Sequence, residues 1–230
     1  MQPSTAASVA GLSTTDWVLI GTSLLLAIIA LIVPYLSELL KRRMFAPKLV
    51  IHFEEEPPGC HKTSIRGPGI DEPVFYFRFL VSNEGKSLAK NCEAVVENVL
   101  EADAAGNFSA YPRYTPINLG WGSGYDEFVN INPGRRFFCD LIFVPSAAFQ
   151  SSNMAAYVNP SGCAAFPLGA ILAVRKAFYS APNRFPQGKY RIDVAVYSEN
   201  SKETRRRFVL SWSGAWRASE EEMFKQLVIE

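Results

Sequence analysis

The chain has 230 residues, 48% of them apolar and 20% charged, a composition that excludes a disordered protein and allows one or two domains. Its 23 Lys+Arg against 22 Asp+Glu leave a net charge of +1, too weak a basic field for a dedicated DNA or RNA binder, so no nucleic-acid partner is expected. Four cysteines, at positions 60, 92, 139 and 163, have no CxxC pairing and are too few for a disulfide scaffold.

Residues 1–16 are small and polar without periodicity and read as a short disordered tail. From Trp17 to Ser37 the chain carries no charge and is dominated by Leu, Ile, Val and Ala. As a helix rising about 1.5 Å per residue this run is about 30 Å long, the thickness of the hydrocarbon layer, so residues 17–40 are expected to cross a lipid bilayer once. A cleaved signal peptide fits poorly. Residues 1–16 hold no Lys or Arg, and the apolar run is too long and is followed by Lys41, Arg42 and Arg43. These three and Lys48 form a basic juxtamembrane linker, residues 41–48. Their excess over the uncharged amino side predicts the N-terminus outside and the remainder in the cytoplasm. Trp17 and Tyr35 suit the two interfaces, and Pro34 predicts a kink near the exit.

From residue 49 the hydrophobic period changes to two. Phe75, Phe77, Phe79 and Val81 share a face opposite Tyr76 and Arg78. The same alternation groups Cys92, Ala94 and Val96; Phe137, Cys139, Leu141 and Phe143; and Tyr190, Ile192, Val194 and Val196. Leu49–Glu54, Ala170–Phe178 and Arg206–Trp212 add three further strands, the middle one also compatible with helix. Turns at Asn83-Glu84-Gly85, Asn132-Pro133-Gly134 and Pro186-Gln187-Gly188 separate them. About seven short antiparallel strands predict an all-β domain over residues 49–230, an immunoglobulin-like antiparallel β-sandwich, with Phe77, Cys92, Leu141, Val194 and Trp212 in its core. Ser219 and Glu222 form a capping box that opens a short C-terminal helix carrying Met223, Phe224, Leu227 and Val228.

The segments VSNEGKSLAKNCEA, NINPGRRFFCDLIFV, GKYRIDVAVYSENS and RRRFVLSWSGAW together resemble a family of uncharacterised prokaryotic single-pass membrane proteins. The first and third are also similar to CARDB-like and fibronectin-like adhesion modules. The resemblance implies a sandwich fold and no activity or cofactor.

The chemical inventory is small. His52 and His61 are the two histidines. His61 and Cys60 lie in the sequence PPGCHKTS, which reads as an ordinary loop. A zinc site of Cys60, His61 and Cys163 would need residues two to four apart, not adjacent ones, and no metal or cofactor is expected. Cys92 and Cys139 read as small core hydrophobes. No nucleophile elbow, phosphate loop, dinucleotide fingerprint or His-Glu-x-x-His is present, so the chain is not expected to be an enzyme.

Two connections, residues 102–129 and 145–169, exceed the usual loop length. The first carries Phe108, Tyr111, Tyr114, Trp121, Tyr125 and Phe128 among Gly, Pro and Ser, with Tyr111, Tyr114, Trp121 and Tyr125 the foremost candidates. These rings are candidate anchors for a protein partner, or else they fold back and cap the sandwich. Arg205, Arg206 and Arg207 read either as a patch facing an anionic leaflet or as a charged, aggregation-resistant edge. The sequence thus predicts a membrane-tethered binding or scaffolding module, with an extracytoplasmic adhesion or glycan-binding sandwich as the alternative. A metal-binding or enzymatic domain using Cys60 and His61 is the third reading.

Overall fold

A computed structural model of the chain describes residues 13–67, 70–122, 127–146, 149, 169–173 and 182–230. The chain forms two compact units, Met1–Phe45 and Ala46–Glu230.

In the first unit, helix α1 spans Thr14–Met44. It starts before the apolar run because Ser13 and Asp16 cap it reciprocally. The Asp16 N–H donates to Ser13 Oγ at 3.3 Å, and the Ser13 N–H donates to Asp16 Oδ2 at 2.8 Å. Residues 13–16 therefore belong to the helix and its cap, not to a disordered tail; residues 1–12 lie outside the described residues. The helix also continues through Lys41, Arg42 and Arg43 to Met44, correcting the expected linker. These are good helix formers, and no Gly or Pro intervenes before Pro47. Pro34 lies inside the helix without ending it. Thr22 Oγ1 donates to the Val18 carbonyl at 3.0 Å and Ser37 Oγ to the Pro34 carbonyl at 2.8 Å, so both hydroxyls are satisfied within the helix. Thr15–Leu40 is long and apolar enough to cross a membrane, with mean hydropathy 2.5 and 0% of it buried against protein.

The second unit contains, in chain order, β1 (Leu49–His52), β2 (Cys60–Gly67), β3 (Ile70–Asn83), β4 (Ala89–Ala102), β5 (Phe108–Ala110), β6 (Ile117–Asn118) and β7 (Val129–Ile131). It continues with β8 (Arg136–Pro145), β9 (Ala170–Leu172), β10 (Arg184–Phe185), β11 (Gly188–Tyr197), β12 (Thr204–Trp212), helix α2 (Glu220–Phe224) and β13 (Leu227–Ile229). All pairings are antiparallel. One sheet runs β1-β3-β8-β9-β10 with β2 also on β3; the other runs β13-β12-β11-β4-β5 with β6 and β7 also on β4.

The core lies between the sheets and joins Phe75, Phe77, Phe79 and Val81 of β3 to Cys92, Ala94 and Val96 of β4, Tyr190, Ile192, Val194 and Val196 of β11, and Phe208, Leu210 and Trp212 of β12. The five residues expected at its centre are each at most 2% exposed.

Strict alternation fails at one predicted strand. Phe77 pairs with Ile142 and Arg78 with Asp140, leaving Leu141 as an extra, bulged residue in β8. Beyond the bulge the faces exchange. Ile142 and Val144 join the main core, while Phe143 moves to the opposite face and packs with Val74, Phe149 and Ile171. A matching irregularity leaves Glu97 as the extra residue in β4, because Val194 pairs with Val96 and Asp193 with Asn98.

Two local assignments also change. Residues 60–67, read as loop, form β2 against β3, with Cys60 opposite Phe77 and His61 opposite Tyr76. At the C-terminus, Ser219 caps α2 by accepting from the Glu222 N–H at 3.3 Å, but the helix ends at Phe224. Leu227 and Ile229, two residues apart and both buried, follow strand period, and β13 extends the second sheet along β12.

Candidate functional site

The long connection between β4 and β7 is stitched into both sheets. Ile117 pairs with Val96, and the Leu119 N–H donates to the Ala94 carbonyl at 2.8 Å. The chain then crosses to the first sheet, where the Asp140 N–H donates to the Gly120 carbonyl at 3.0 Å and Trp121 bridges to Cys139. Its rings follow. Tyr111 sits edge-on to Phe185 and Tyr190, at 5.3 and 5.8 Å between centroids. The Tyr114 hydroxyl donates to the Val96 carbonyl at 2.9 Å, and burial raises that phenol well above its ordinary range. Trp121 is 2% exposed. Trp121 is thus part of the core, and Tyr111 and Tyr114, both partly buried, pack against it; Tyr125 lies outside the described residues.

The cysteines are equally enclosed. Cys60 points into the core while its neighbour His61 lies on the opposite side of β2, as successive strand residues must, so the two cannot close on one ion. Burial pushes the Cys60 thiol up to about 12, the Cys92 thiol up to about 11 and the Cys139 thiol well above its usual value. All three are neutral at pH 7 and poor nucleophiles. Among the described residues no group of three or more His, Cys, Asp and Glu is placed to hold a metal ion; Cys163 is not among them.

Two charged arrangements are internally matched. On the outer face of the first sheet, Arg78 Nε donates to Asp140 Oδ1 at 2.5 Å, with both side chains about one-fifth exposed, and the guanidinium lies 4.9 Å from the Tyr76 ring centre. Burial raises the Asp140 carboxyl above the ordinary carboxylate range, even though Arg78 and His61 draw it down. On the outer face of the second sheet, Arg205 pairs with Glu97 and Arg207 with Asp193, the latter at 2.8 Å. Arg206 turns inward, donating to the Ile51 carbonyl at 3.1 Å over the Phe208 ring. The arginine run therefore presents no uniform basic patch: strand alternation divides it, and carboxylates pair its two outward members.

Beside this ladder lies a cleft of about 400 Å³ lined by Asn91, Glu93, Phe128, Tyr197, Ser198 and Glu199. Its floor is the end of the β4–β11 pair, where Glu93 stands opposite Tyr197. One wall is a bulge in β4, where three steps from Ala89 to Cys92 match two from Ile131 to Val129. Asn91 takes up this offset in the left-handed region, at φ 48°, a conformation asparagine tolerates better than most side chains. Its N–H donates to Asn130 Oδ1 at 2.9 Å and its side-chain amide to Glu199 Oε1 at 2.6 Å. The β11–β12 turn is fixed in the same way: the Lys90 N–H donates to Asn200 Oδ1 and the Ser201 N–H to Ser198 Oγ, at 2.9 and 3.0 Å. Phe128 also lines the cleft and is 49% exposed.

No protein-family profile and no curated protein matches this chain. Among solved structures it is similar to the X-ray structure of Northeast Structural Genomics Consortium target SoR45, at 11% identity over 78% of this chain and 95% of that one, with a TM-score of 0.26. A likeness at that level carries no argument about function. The resemblance read from the four sequence segments thus gains no support from these comparisons.

Of the cleft residues, the sequence pattern singles out Phe128 alone, as one ring of the long aromatic connection. Two further signals were present in the sequence: an asparagine at the start of an apolar strand, marking the bulge at Asn91, and the Ser-Glu-Asn-Ser turn after Tyr197. Their convergence depends on β4 and β11 being neighbours, which sequence separation conceals.

Proposed function

We propose that the chain is a membrane-anchored, non-catalytic module that binds a protein partner, with α1 crossing the bilayer once and the sandwich on the cytoplasmic side. The observation that carries this reading is a helix of spanning length with none of its apolar surface covered, joined to a separate all-β unit. Leaving that surface in water would be very unfavourable; a bilayer removes the cost. Lys41, Arg42, Arg43 and Lys48 on the carboxyl side, against no basic residue before Trp17, support the orientation. Strand order supports an immunoglobulin-type sandwich: β1-β3-β8 and β12-β11-β4-β5 follow the A-B-E and G-F-C-C′ order of that architecture. Neutral, enclosed thiols and internally paired charges favour recognition over catalysis.

Reporter fusions at the C-terminus test the reading. A fluorescent protein that matures only in the cytoplasm should fluoresce there, alkaline phosphatase should be inactive, and the full-length chain should stay in the membrane fraction after carbonate washing. Active phosphatase would move the sandwich outside and favour the adhesion alternative. A mature chain lacking α1 would make the helix a cleaved signal and overturn the anchor.

A further inference from the structure

We infer that the cleft between the β4 bulge, Phe128 and the β11–β12 turn binds an arginine or lysine side chain on an exposed segment of a protein partner. The inference rests on the binding-module reading above and gives its partner a chemistry.

Charge sets the class of ligand. Glu93 accepts one hydrogen bond from the Asn118 amide at 3.2 Å, and Glu199 accepts one from the Asn91 amide at 2.6 Å. Among the described residues neither has a cationic partner, and each keeps an oxygen free to accept. Their neighbours on the same face differ. Glu97 and Asp193 are each held by an arginine. The cleft therefore attracts a cation and repels phosphate or carboxylate, and two carboxylates without a third ligand are too few for a metal site.

Shape and apolar surface narrow the class further. Phe128 is the one large apolar side chain exposed among the described residues from Ala46 onward, and it lines this cleft. A ring in that place can take the aliphatic stem of a long basic side chain, or its cation over the ring face, while the carboxylates receive the charged end. About 400 Å³ is ample for one such side chain. The walls are built before the ligand arrives, because hydrogen bonds fix the Asn91 bulge and the Ser198–Ser201 turn.

The test uses the full-length chain in phosphatidylcholine nanodiscs and a fluorescein-labelled hexa-arginine peptide, followed by anisotropy. Hexa-citrulline, which keeps the shape without the charge, is the control. Hexa-arginine should bind, and hexa-citrulline should not. The Glu93→Gln/Glu199→Gln double variant should weaken binding roughly tenfold, and Phe128→Ala about fivefold. Raising salt to about 0.5 M should weaken it further, since the site is open to screening. Glu221→Gln should leave it unchanged, because Glu221 lies on α2 and pairs with Lys225. All of these side chains are at the surface, and each variant's circular dichroism should match that of the parent. No binding of hexa-arginine, equal binding of hexa-citrulline, or an equal loss with Glu221→Gln would overturn the proposal. Failure is separable from that of the parent reading: active phosphatase in the fusion would refute the orientation and leave this titration to be judged alone.

Discussion

Trp121 and Phe128 belong to one connection and meet opposite fates. Trp121 is 2% exposed and bridges to Cys139, whereas Phe128 is 49% exposed beside two carboxylates without cations. The length and aromatic content of the connection suggested one role for all its rings. Backbone pairing separates them instead. Where the chain is bonded to β4 and β8, its rings pack on the core; immediately before β7, a ring is left at the surface. Exposed large apolar groups are informative when they are rare and adjoin charged groups that lack a counter-charge.

That division can be broken by substitution. Trp121→Ala should cost about 3–5 kcal/mol, as for other truncated core aromatics. Urea unfolding of the full-length chain measures it, and a cost under about 1 kcal/mol would place the ring at the surface. The same connection covers the Arg78–Asp140 pair, since a Cβ at Gly122 would lie 3.2 Å from Asp140 Oδ1. Arg78→Met should cost about 2–3 kcal/mol, below the value for a fully buried pair because both side chains retain some exposure. It should also change the pH profile. Burial raises the Asp140 carboxyl above its ordinary range in the fold, so the fold binds that proton more tightly than the unfolded chain does. Its contribution is complete below the unfolded carboxylate pKa and is lost as pH rises through the higher folded value. Removing Arg78 raises that folded value, so the decline should extend to higher pH in Arg78→Met than in the parent; coincident profiles would show the pair to be uncoupled. Tyr114→Phe, which leaves the Val96 carbonyl without its donor, should cost about 1 kcal/mol. Phe128→Ala should fall within about 0.5 kcal/mol of the parent.

Period-two patterns in β3, β4, β11 and β12 were legible because one side of each strand is apolar, and the resulting core residues are buried together. The β8 faces were not, because one extra residue, Leu141, inverts every position after it and no sequence signal marks a bulge without Gly or Asn. β2 was hidden by polar residues suited to an edge strand, and β13 by a capping box whose helix stops after one turn. The cleft was least visible. Asn91, Phe128 and Glu199 come from three separate segments, and only the pairing of β4 with both β7 and β11 assembles them.

The most direct test of the account follows the melting midpoint and the hexa-arginine affinity of Phe128→Ala on one preparation of the full-length chain. The account predicts a midpoint within about 2 °C of the parent and an affinity about fivefold weaker. A midpoint several degrees lower with unchanged affinity would make Phe128 another core ring and contradict the claim that this cleft is the module's binding surface.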